Sequence, residues 1–149
     1  MNASLAVAAY YFFMQGDGRD VLLVEDDTDL RDALQMFLTV HGLDVFCALD
    51  GQEALDLLHR GLHPCVILLD LMMPRMAGPA FRRAQQEDAE LRGIPVVVLS
   101  ASAEGRMQAR AMGISEFMRK PIDLDALLQT LQQHCATARA DATTPAERH

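Results

Sequence analysis

Cys65-Val66-Ile67-Leu68-Leu69-Asp70 is a run of five apolar residues closed by one acid. A run this short, with no polar alternation, reads as a strand buried on both faces. Its acid then stands at the strand's carboxyl end. The pattern recurs on either side. Val21 to Val24 is apolar and ends in Glu25-Asp26-Asp27; Pro95 to Leu99 ends in Ser100; Glu116 to Met118 leads into Lys120-Pro121; Asp44 to Leu49 completes the set. Helical spacing fills the gaps. Leu30, Leu34, Phe37 and Leu38 recur before Gly42, and Ala54, Leu55 and Leu58 lie within Gln52 to Arg60, which Gly61 closes. Residues 79–89 form a helix with Pro79 in its first turn, residues 103–112 another ended by Gly113, and Leu124, Leu127, Leu128 and Leu131 mark the last, capped by Asp123. Five βα units in about 115 residues predict an α/β fold: a doubly wound five-stranded parallel sheet with helices on both faces.

In such sheets the site lies outside the carboxyl ends of the strands, near a topological switch point. Glu25, Asp26, Asp27, Asp70, Ser100 and Lys120 are therefore expected in one crevice. Clustered carboxylates repel in a partly desolvated cleft, and a hard divalent cation relieves that repulsion. Mg²⁺ suits the oxygen donors and would neutralise an incoming phosphoryl group, with Lys120 as a second positive charge and Ser100 as a donor. Asp70 can act as the nucleophile, because carboxylates form aspartyl-phosphates. Each residue alone has a plainer reading: helix capping for the acids, turn formation for Asp70 and Pro121, solvation for Lys120. Their coincidence at successive strand ends favours the chemical one.

The formal net charge of −8 argues against direct nucleic acid binding. Three cysteines (Cys47, Cys65 and Cys135) at long spacings, with no CxxC, suggest neither a disulfide framework nor a zinc site, and a reducing cytoplasm fits. Cys47 and Cys65 fall in apolar strands and read as core residues. Ala3 to Met14 is almost wholly apolar, but its 12 residues fall short of the roughly 20 that cross a membrane. No Lys or Arg precedes Arg19, so a signal peptide is not indicated and no membrane association is expected. Residues 1–20 read as an extension dispensable for function, and residues 136–149, which lack apolar periodicity, as a disordered polar tail.

The stretches VLLVEDD, VILLDLMMPRMAG, PVVVLSAS and FMRKPID together resemble the receiver domain of two-component response regulators, over residues 21–135. The resemblance implies a flavodoxin-like strand order, 2-1-3-4-5. It makes Asp70 the phospho-acceptor, with Asp26, Asp70 and the Met72 backbone carbonyl on Mg²⁺ and Glu25 acting through water. Asp27 becomes a flanking acid. Ser100 matches the conserved hydroxyl, Lys120 the conserved lysine and Phe117 the aromatic switch, and the Lys120–Pro121 bond is implied to be cis. The donor would be a sensor histidine kinase or a histidine phosphotransfer protein. The output would be contact with a downstream protein through the surface of the fourth and fifth βα units, from a monomer or weak homodimer. Three departures are visible: Ser100 for the commoner Thr, Ala77 where the loop usually has Asp before Gly, and Ile122 for a frequent Phe. Met72 and Ser102, two residues beyond Asp70 and Ser100, offer no carboxylate or amide to position water, which implies an intermediate to long phosphoryl lifetime.

Two rivals remain. A Mg²⁺ phosphatase would carry DxDx[TV] at the first strand, where this chain has EDDTD. A phosphorylation-independent binding module would not need the intact acids, Ser100 and Lys120. A nucleotide site is not indicated: GxxxxGK[ST] is absent, and Gly16-Asp17-Gly18 precedes its strand. No second domain is expected after the fifth unit, and a stand-alone regulator is favoured over a receiver cut from a larger protein.

Overall fold

A computed structural model of the chain describes residues 19–73 and 76–147, with the backbone alone for residues 139–147. Residues 1–18, which include the apolar run Ala3–Met14 and most of the expected extension, lie outside the described residues. Among the described residues, five strands and five helices alternate: β1 (Asp20–Val24), α1 (Thr28–Val40), β2 (Asp44–Ala48), α2 (Gly51–His59), β3 (Val66–Asp70), α3 (Gly78–Glu87), β4 (Val96–Ser100), α4 (Gly105–Ala111), β5 (Glu116–Arg119) and α5 (Leu124–Glu147). The strands form one sheet in the order β2-β1-β3-β4-β5. All four pairings are parallel.

Side chains alternate across a strand, so each apolar strand feeds two layers. Leu22, Val24, Ile67, Leu69, Val96 and Val98 pack with Ala54, Leu55 and Leu58 of α2, Phe81 of α3 and Ala109 of α4. Val21, Leu23, Val66, Leu68, Val97 and Leu99 pack with Leu34 and Leu38 of α1 and Leu127 and Leu131 of α5. β1, β3 and β4 are buried along their whole length, as continuous apolar runs require. β2, at the sheet edge, is half-buried, and Cys47 is only partly covered.

Capping fixes where the helices begin. Asp27 accepts from the amides of Asp29 and Leu30 at 3.0 and 3.2 Å. Asp50 accepts from Glu53 N at 2.9 Å and Asp123 from Ala126 N at 3.1 Å, which satisfies otherwise orphaned donors. Ala77 occupies the same position before α3 in extended conformation, but makes no side-chain cap.

Two expectations are corrected. The expected disordered tail, 136–149, continues α5 as helix to Glu147, and only residues 148–149 fall outside the description. Alternate alanines from Ala136 to Ala142 have the highest helix propensity, and extending an existing helix avoids a new nucleus. Apolar periodicity reports a buried face, so its loss at the tail did not report loss of helix. The cysteine spacing suggested no disulfide, yet Cys65 and Cys135, 70 residues apart, are bonded with a Cα–Cα distance of 5.1 Å. The fold brings them together by setting α5 against the layer that begins at the amino end of β3.

Candidate functional site

The carboxyl ends of β1, β3, β4 and β5 converge because those strands are neighbours in register. Leu69 pairs with Val24, Asp70 with Leu99, and Ser100 with Arg119. Beyond the last pairs, the Glu25 amide donates to Ala48 O and the Lys120 amide to Ser100 O, each at 3.0 Å. The backbone therefore aims Glu25, Asp70, Ser100 and Lys120 out of one edge. Glu25, Asp70 and Ser100 are buried and Asp26 is exposed.

One oxygen from each of Glu25, Asp26 and Asp70 lies within 4.8 Å of the others. Lys120 Nζ donates to Glu25 Oε1 at 2.6 Å and lies 3.7 Å from Asp70 Oδ2. The second Glu25 oxygen, Oε2, is buried without a hydrogen-bond partner. Asp70 Oδ1 accepts from the Met72 amide at 3.2 Å, while the Met72 side chain is exposed. Ser100 Oγ accepts from the Ser102 amide at 3.1 Å, which leaves its own proton free to donate. The Lys120–Pro121 peptide is cis.

Burial, reinforced by the neighbouring Asp70 carboxyl, pushes Glu25 up to about 8 despite the Lys120 ammonium. Burial pulls Lys120 down, but its hydrogen bond to Glu25 and the surrounding carboxylates outweigh this and leave it above its ordinary value. Without a cation, the cluster therefore retains a proton on Glu25 into the neutral range. A divalent cation fits this donor set. The oxygens are hard, three carboxylates converge, and a buried oxygen has no other partner. Asp27 is not in the cluster, because its carboxylate caps α1.

The loop after Asp70 is held from two sides. Gly51 N donates to Met76 O at 3.1 Å, and Met76 adopts φ 45°. The Gly78 amide donates to Leu71 O at 3.2 Å, and a Cβ on Gly78 would lie 2.8 Å from Leu71 Cδ2. Phe117 lies partly buried on β5 beneath Arg106, whose guanidinium carbon is 5.0 Å from the ring centroid. The sequence reading singled out neither Arg106 nor Gly105. A short polar helix carries no periodic mark of which residues face a neighbouring strand.

The sequence matches the response regulator receiver domain over residues 21–132. The chain belongs to this family. A receiver domain of this kind is a module of two-component signalling. Among relatives, an uncharacterized protein of Leptolyngbya boryana is 35% identical, over 83% of this chain and 95% of its own length. PilG of Pseudomonas aeruginosa is 30% identical, over 80% of this chain and 90% of its own. The chemotaxis protein CheY4 of Vibrio cholerae shares the receiver's structure with a TM-score of 0.69 and 31% identity, over 76% of this chain and 96% of its own. Among the described residues, no helix is long and apolar enough to cross a membrane.

Proposed function

We propose that this receiver accepts a phosphoryl group on Asp70 from a phosphohistidine of a sensor kinase or phosphotransfer protein, and signals through a changed protein-binding surface. The observation that carries the reading is Lys120 Nζ poised between Glu25 and Asp70, at 2.6 and 3.7 Å, beside a converging set of carboxylates. Asp26, Asp70 and the Met72 carbonyl would hold Mg²⁺, with Glu25 acting through water. When bound, the cation would neutralise charge on the transferred phosphoryl oxygens.

The chain's own groups supply the rest. A carboxylate oxygen of Asp70 forms the new O–P bond as the donor's N–P bond breaks, and the imidazole nitrogen keeps the electron pair. The Met72 amide orients Asp70 through Oδ1. Lys120 pairs with the added charge, and the free proton of Ser100 turns toward a phosphoryl oxygen. Movement of Ser100 opens space for Phe117 to turn inward, a population shift between two states of the surface formed by α4, β5 and α5. With Met72 and Ser102 unable to position water as a base would, the phosphoryl group should persist well beyond seconds.

Incubation with acetyl phosphate, with and without Mg²⁺, tests the reading. Uptake should be Mg²⁺-dependent, stop near one equivalent per chain, and vanish in Asp70→Asn. Sustained turnover would indicate an enzyme instead, and no uptake a binding module.

A further inference from the structure

Beside the candidate site, the first turn of α4 lies on β4 and β5 with no intervening side chain. Gly105, the first residue of α4, is buried. A Cβ built on it would stand 2.7 Å from Phe117 Cε2, 2.7 Å from Ser100 Cβ and 2.8 Å from Ser100 Oγ. Packed atoms do not approach so closely, so any side chain here forces something to move. Ser100 can rotate its hydroxyl but cannot easily shift its backbone and Cβ. It ends a strand paired on both sides, and its carbonyl accepts from the Lys120 amide. The ring or the helix must yield instead. Ring and helix are also joined directly, since Arg106, the next residue of α4, stacks over Phe117 at 5.0 Å. Hydroxyl, aromatic edge and helix backbone thus meet at one point, and only glycine lets them meet.

We propose that Gly105 is a positioning residue of the switch: because it lacks a side chain, α4 rests directly on the Ser100 hydroxyl and the Phe117 ring, so a displacement of one is transmitted to the other two. This rests on the reading of Asp70 as phospho-acceptor and adds to it the contact that carries the signal from β4 to α4. Gly105 would touch neither the phosphoryl group nor a cation. Its effect appears in coupling, not in the transfer itself.

The test uses the full chain as wild type and Gly105→Ala, both carrying fluorine-labelled phenylalanine, with the Phe117 resonance assigned by its loss in Phe117→Leu. Each protein is treated with acetyl phosphate and Mg²⁺, and phosphoryl content is counted by intact mass. Both should take up about one equivalent at Asp70. In the wild type, the Phe117 resonance and the Gly105 and Arg106 amides should move together. In Gly105→Ala the ring resonance should be displaced before phosphorylation, and its response should fall about threefold. An unchanged ring response in the phosphorylated variant overturns the proposal and leaves the Asp70 reading intact. Uptake by neither protein overturns both. If Gly105→Ala shows no cooperative melt, the wild type decides. Amides of Gly105 and Arg106 that stay in place while Phe117 shifts overturn the proposal, and concerted movement supports it.

Discussion

Lys120 answers two carboxylates at once, donating to Glu25 Oε1 at 2.6 Å and facing Asp70 Oδ2 at 3.7 Å. That double role leads to opposite consequences for a cation and for a phosphoryl group. Lys120→Met keeps most of the stem's volume and removes the charge. On a Glu25→Gln background, which removes the further rise in Glu25 that losing Lys120 would cause, the remaining carboxylates then meet Mg²⁺ without a competing ammonium. Mg²⁺ affinity by calorimetry should rise on the order of tenfold. Phosphoryl uptake from acetyl phosphate should slow on the order of a hundredfold, because a positive charge aimed at the transferred group is gone. Loss of both affinity and uptake would mean that Lys120 only holds the site's shape. Most of these residues were legible because a strand marks its own end: Asp70 and Ser100 each follow an apolar run, and Lys120 follows the short stretch Glu116–Arg119. The acids after β1 were not separable by pattern alone, as Glu25, Asp26 and Asp27 are adjacent and chemically alike. Capping distinguishes them, since the Asp27 carboxylate is spent on two amides of α1. Gly105 and Arg106 had no signal at all, because their contacts with Ser100 and Phe117 exist only once α4 packs on the sheet.

Helix α3 illustrates how an element can form despite a missing local device. Asp27, Asp50 and Asp123 cap α1, α2 and α5, whereas Ala77 leaves the start of α3 uncapped. The backbone there is already extended, with φ −60° and ψ 166°, the conformation a capping residue needs. Pro79 lacks an amide, so Ala80 N–H is the donor a cap would reach. Ala77→Asp should raise stability by about 1 kcal/mol, measured as a higher urea midpoint at unchanged slope. An unchanged or lower midpoint would show that the loop after Asp70 cannot accept the side chain. Elements were legible to within a residue or two. The apolar runs placed β3 at Cys65–Leu69, where Val66–Asp70 is observed, because the final ladder bonds extend into the polar residue. The far end of α5 escaped the reading for a different reason. Amphipathic periodicity detects helix packed on a core, and alanine-rich helix beyond the core leaves no such trace.

Among the described residues, Glu25, Asp26 and Asp70 converge at the carboxyl end of the sheet, and this makes stability depend on pH and Mg²⁺ together. Burial, with Asp70 beside it, raises the Glu25 carboxyl from an ordinary 4.5 to about 8 in the folded chain. Between those two values the folded state therefore binds more protons at this group than the unfolded state does. The linkage relation then makes stability fall as pH rises through that window and level off above it. Lys120 adds nothing there, because its raised value lies above the ordinary 10.5 and it stays charged throughout. A cation held by Asp26, Asp70 and the Met72 carbonyl, with Glu25 on its bound water, would favour the ionised Glu25 over the protonated form, so Mg²⁺ should stabilise more at pH 8 than at pH 5.5. Urea unfolding of wild type and Glu25→Gln across this range, with and without saturating Mg²⁺, isolates the effect from the other carboxylates. Without Mg²⁺, the wild type should lose stability relative to Glu25→Gln as pH rises from about 5 to 8, and with Mg²⁺ that relative loss should shrink. Parallel pH profiles for the two proteins without Mg²⁺ would mean that Glu25 is ionised throughout, with Lys120 alone compensating its burial. The buried Oε2 without a partner argues for the first outcome, since an ionised oxygen there would be left with neither water nor a donor.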